Sequence, residues 1–82
     1  KNRYSYKIAL GDFYSMLAQE YTAQNDPESL HFETAIFEAL GQAALRHYAA
    51  VAQEDGIIEK LEAKGKLEAL EAYMAKIGRL GR

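Results

Sequence analysis

The residues best suited to chemistry in this chain are its two histidines, and the first of them closes the segment Glu28-Ser29-Leu30-His31. On a helix, an acidic residue and a histidine three positions apart share one face, the pairing that supplies ligands in carboxylate-bridged di-iron bundles. Glu20 and a second copy of the chain could in outline complete such a site. Three features speak against it. Glu28 directly follows Pro27, where a carboxylate already complements a helix dipole. Leu30 belongs to an apolar stripe, which turns His31 outward. The motif also lies at a helix end, whereas a di-iron site sits deep between long helices. No metal ligand and no cofactor-binding residue is therefore assigned.

His47, in Leu45-Arg46-His47-Tyr48, falls close to an apolar face. Histidine serves as a general base or a pH switch only when a neighbour orients it. The segment offers no Ser, Cys or acidic residue at a suitable spacing, and Glu54 is a full two helical turns away. The expected role is a hydrogen-bonded histidine at a helix boundary. Glycine-rich phosphate loops, paired catalytic carboxylates and a nucleophile with its base are absent from the sequence, so no catalytic residue is assigned and the chain is read as non-enzymatic. Tyr4, Tyr6 and Tyr14 beside Arg3 and Lys7 could stack on nucleic-acid bases. A formal net charge of −2 gives such binding little electrostatic help.

The elements that would carry these residues are helical. Gln24-Asn25-Asp26-Pro27 reads as a stop followed by a start, with Asp26 as N-cap and Pro27 at the first helical position. Gln53-Glu54-Asp55-Gly56 is a second break, where Gly56 can close one helix. Three helices of about 5–23, 27–53 and 57–77 follow, joined by short connections that favour antiparallel neighbours. The expected fold is all-α, a small antiparallel three-helix bundle spanning residues 1–82 as a single domain.

Helix one should bury Tyr6, Leu10, Phe13, Leu17 and Tyr21, although Arg3-Tyr4-Ser5-Tyr6-Lys7-Ile8 alternates like a strand and allows an extended N-terminal arm. Helix two should bury Leu30, Phe37, Ala44 and Val51, a strict seven-residue repeat. Helix three should bury Ile58, Leu61, Leu67, Leu70, Met74 and Ile77. Its stripe changes phase at Gly65, where interior glycine costs up to about 1 kcal/mol; a single helix is expected, with a kink or break into two short helices at Gly65 as the alternative.

At 82 residues the core is small, and apolar groups remain off the main stripes. Phe32, Ile36, Ala43 and Ala50 lie on a second face of helix two, and Tyr14 and Met16 flank the stripe of helix one. These six are the expected interface, and the expected function is a helical protein–protein interaction or oligomerisation module, with a second copy (a homodimer) or another protein as partner. The alternative is a nucleic-acid-associated regulator using Lys60, Lys64, Lys66, Lys76, Arg79 and Arg82, although Glu59, Glu62, Glu68 and Glu71 interrupt that face.

The chain has no cysteine, which is compatible with the cytoplasm, and no apolar run approaches the ~20 residues of a membrane span. It starts at Lys1 rather than a methionine, so a trimmed chain or a domain of something longer is expected.

Overall fold

The computed structural model describes residues 2–81. Three helices follow one another: α1 (Arg3–Gln24), α2 (Thr34–Ala52) and α3 (Glu59–Leu80). Among the described residues no strand occurs, and no helix is long and apolar enough to cross a membrane. Gly11 lies against Tyr48 and Tyr21 against Glu33, so α1 and α2 run antiparallel. Along α3, Glu59 meets Asn2, Lys66 meets Asp12 and Tyr73 meets Thr22, so α1 and α3 run parallel. The result is an up-down-up bundle 45 Å long, with α2 packed on both neighbours.

α1 is helical from its first turn, and there is no extended arm. Asn2 supplies the reason: its side-chain oxygen accepts the Ser5 amide at 2.8 Å, a cap that contributes about 1 kcal/mol. The same side chain donates to Glu59 of α3 at 3.0 Å, tying two helix starts together.

The buried face of α1 differs from the expected one. Ile8, Gly11 and Ala18 point inward, while Tyr6 is 66% and Phe13 50% exposed. Leu10 and Leu17 are half-buried, and Tyr21 alone of the expected line joins the core. The helix has turned its small residues to α2. A Cβ on Gly11 would stand 2.5 Å from the Tyr48 ring, so the ring occupies the space a side chain would need.

α2 begins seven residues later than Pro27, at Thr34. The capping signals of the 25–33 segment are used in turns instead. Asp26 accepts the Glu28 amide, Ser29 accepts that of His31, and backbone bonds from Ser29 to Asp26 and from Phe32 to Ser29 close two successive turns. Phe32 then wedges between Tyr21 and Phe37, with centroids 5.3 and 5.7 Å away, and fixes where the helix can start. Leu30 falls on this loop and is 100% exposed, whereas Phe37, Ala44 and Val51 are buried as their spacing predicts.

α3 is one unbroken helix through Gly65, with Leu70, Met74 and Ile77 buried and Leu67 half-buried. It starts after Ile58, so Ile58 (91% exposed) and Leu61 (79%) lie at its solvent-facing start rather than in the core; Ala63 fills the inward position. Gly56 has φ +76°, the left-handed turn that lets the chain reverse after α2.

The glycines separate packing from propensity. Gly11→Ala should destabilise the chain by about 1–3 kcal/mol, because the Tyr48 ring must move. Gly65, whose Cβ would meet nothing within 4 Å, should gain about 0.5–1 kcal/mol on replacement by alanine. Urea unfolding followed by circular dichroism reads both; a stabilised Gly11→Ala protein would show the α1–α2 contact to be wrong.

Candidate functional site

Two places on the bundle hold more than generic packing. The first is polar and joins all three helices. The Tyr48 hydroxyl of α2 donates to Oδ1 of Asp12 on α1 at 2.6 Å. Lys66 of α3 donates to both oxygens of the same carboxylate at 2.8 Å, and also lies 3.5 Å from Glu62. Burial, reinforced by the Asp12 carboxylate, pushes the Tyr48 hydroxyl above its ordinary value, so it stays protonated. The hydrogen bond to Asp12 holds Lys66 above its ordinary value and therefore charged. Every member is engaged by another. The group acts as a clamp between helices and presents no free base or nucleophile.

The Glu28–His31 pairing does not form on a helix. Glu28 and His31 sit in the turns before α2, so they share no helical face, and among the described residues no cluster of three or more potential ligands occurs. His47 stacks on Tyr14 with centroids 5.8 Å apart and planes 9° from parallel, at the α1–α2 boundary. Of the cations of the C-terminal helix, Lys60 is bonded to the Glu54 carbonyl and to Asp55, and Lys66 to Asp12. Lys64, Lys76 and Arg79 remain exposed, interleaved with Glu68 and Glu71. Arg82 lies outside the described residues.

The second place is apolar. Tyr6, Leu10, Phe13 and Leu17 repeat at alternating steps of four and three residues, which stacks them on one face of α1. That face is directed away from the core, since the inward line is Ile8, Gly11 and Ala18. Beside it, Ile36, Ala43 and Ala50 recur every seven residues along α2, with Ile36 47% exposed. The Tyr14–His47 stack fills the valley between the two helices, and Phe13 meets Tyr14 edge-on at 5.7 Å. The outer side of the α1–α2 hairpin thus carries exposed apolar groups from both helices.

Of the six expected interface residues, Tyr14, Ile36, Ala43 and Ala50 share this surface. Phe32 does not: it is partly buried between Tyr21 and Phe37. Met16, 45% exposed, belongs to the opposite flank of α1, next to the Asp12 and Gln19 side that faces α3. Tyr6, Leu10, Phe13 and Leu17 are the members that sequence reasoning placed in the core. A signal for them existed in Gly11 and Ala18, seven residues apart, which mark a close-packing seam.

An open groove of about 490 Å³ between α2 and α3 is the remaining concavity of note, floored by Leu45, Met74 and Gly78 and edged by Glu38, Glu71 and Arg79. It contains no histidine, hydroxyl or amine arranged for reaction. No protein-family model matches the chain, and no match to a curated protein or a solved structure was found.

The clamp has a pH signature. Tyr48 and Lys66 both hold their protons more tightly folded than their ordinary values of 10.0 and 10.5. Above those values the unfolded chain releases protons that the folded chain keeps, so unfolding free energy falls as pH rises. The contribution of these two groups should be constant from pH 7 to about pH 9 and decline beyond pH 10. Tyr48→Phe should cost about 1 kcal/mol at neutral pH and shallow the alkaline decline. Urea titrations across pH 7 to 11 test it, and an unchanged slope in the Tyr48→Phe protein would remove Tyr48 from the account.

Proposed function

We propose that this protein is a non-catalytic helical interaction module whose working surface is the outer side of the α1–α2 hairpin. The reading is supported by one observation: on the outward face of α1, Tyr6 and Phe13 are 66% and 50% exposed, with Leu10 and Leu17 half-buried between and beside them. Aromatic side chains present about 150–250 Å² each, and proteins rarely leave contiguous apolar area of that order uncovered without a use.

The side chains suit association more than reaction. Tyr6, Tyr14 and His47 combine apolar bodies with polar tips, the composition of protein interfaces. Ala43 and Ala50 keep the α2 side low, which lets another backbone approach. The partner is a second copy or another protein, and a cysteine-free composition fits a cytoplasmic setting.

If the face serves association rather than folding, charging it leaves the single chain intact. Phe13→Glu and Ile36→Glu should change the unfolding free energy of the dilute protein by less than about 1 kcal/mol. Both should lose binding of an apolar dye to the dilute chain, and any assembly that wild type forms. A loss of several kcal/mol in either variant, or dye binding that both retain, would overturn the reading.

A further inference from the structure

The stripe on α1 is bounded by opposite charges. Continuing its four-and-three spacing one step outward reaches Arg3 at one end and Glu20 at the other, so the line reads Arg3, Tyr6, Leu10, Phe13, Leu17, Glu20. Both end residues are exposed. Arg3 makes a 3.3 Å hydrogen bond and a 5.2 Å cation–π contact with its neighbour Tyr4, feels the Glu54 carboxylate at longer range, and takes part in no ion pair among the described residues. Glu20 takes part in no ion pair among the described residues.

Such a line is complementary to itself when reversed. Laid antiparallel on a second copy, Arg3 meets Glu20, Tyr6 meets Leu17 and Leu10 meets Phe13, and the same pairs recur in mirror order to the other end. Each apolar layer then joins one aromatic to one leucine, and an ion pair closes each end. A parallel arrangement fails on the same residues, because Arg3 would face Arg3 and Glu20 would face Glu20. The geometry points to a second copy of this chain as the occupant of the surface, packed α1 against α1 in antiparallel register about a two-fold axis perpendicular to the helices. This rests on the interaction-module reading and specifies its partner.

The dimensions agree. From Arg3 to Glu20 the helix runs about 25 Å, and two helices side by side are about 20 Å wide. Two such faces bury on the order of 1,000 Å², the lower bound for a specific interface, so the dimer is expected to be a micromolar one.

The chain contains no cysteine, which makes cross-linking a clean test. An oxidised mixture of Tyr6→Cys and Leu17→Cys proteins should form the mixed disulfide dimer, while Leu17→Cys alone should not. In the antiparallel register Leu17 and its counterpart lie about 16 Å apart along the helix, far beyond disulfide reach. In sedimentation equilibrium, Arg3→Glu and Glu20→Arg should each weaken wild-type association by about tenfold, and the double variant should recover it. Self-cross-linking of Leu17→Cys with no preference for the mixture would overturn the register. A wild-type mass that stays at 9.2 kDa up to about 500 μM would exclude the second copy as occupant, leaving the dye and stability measurements to judge the surface itself.

Discussion

Tyr48 can lie against α1 only because residue 11 has no side chain, and from that position its hydroxyl reaches the carboxylate of the next residue. Lys66 arrives at the same carboxylate from α3, so one acidic group on α1 is held by both other helices. The individual bonds are modest, since Asp12 and Lys66 are partly exposed and water competes for them. Their value is angular. Once Gly11 receives the ring and Asp12 the hydroxyl, α1 has a single rotation about its axis. That rotation sends Ile8 and Ala18 inward and Tyr6, Leu10, Phe13 and Leu17 outward. The apolar surface is therefore a consequence of how the clamp is built.

The polar seam between α1 and α3 follows from the same constraint. With bulky residues turned away, α1 offers α3 mainly Asn2, Asp12, Ser15, Gln19 and Thr22. The two helices meet through Asn2–Glu59, Asp12–Lys66 and Thr22–Tyr73. The apolar core comes instead mainly from α2 and α3, with α2 giving Phe37, Ala44, Tyr48 and Val51 and α3 giving Ala63, Leu70, Met74 and Ile77. α2 can pack on both sides because it is thin where it must be: Met74 rests on Gly41, as the Tyr48 ring rests on Gly11.

The number and order of the helices were legible from the chain, as were the inward residues Phe37, Ala44, Val51, Leu70, Met74 and Ile77. In these helices one face carries the large apolar groups, and burial of area decides. The rotation of α1 was not legible by the same rule. Its two candidate faces are one of large residues and one containing Gly11 and Ala18, and counting hydrophobicity favours the first. Close approach of backbones favours the second, because a ring set against a glycine gains contacts and places a hydroxyl on Asp12. The start of α2 was hidden for a different reason. Asp26, Pro27 and Ser29 are equally at home in a helix cap and in consecutive turns, and the choice was made by Phe32 finding Tyr21 and Phe37. Ile36, Ala43 and Ala50 share one side of α2 because that helix carries a second apolar periodicity, and Tyr14 of α1 adjoins them through its stack on His47. Phe32 and Met16 lie away from these residues, because their positions depend on the loop and on the rotation of α1.

A chain this short has little apolar area to spare, which makes the allocation on α1 informative. Burying a Tyr or Phe side chain contributes on the order of 1.5–3 kcal/mol, a sizeable share of what a domain of this size can accumulate. Turning the helix by about 140° would bury Phe13 and Leu17 but lose the seating of Tyr48 and its bond to Asp12. The fold instead keeps a tight, well-oriented α1–α2 contact made from small residues and leaves its bulk outside. Such a division is efficient only if the outer residues are covered by something else. Under the proposed antiparallel pairing that cover is a second copy, whose reversed stripe complements the residues between Arg3 and Glu20.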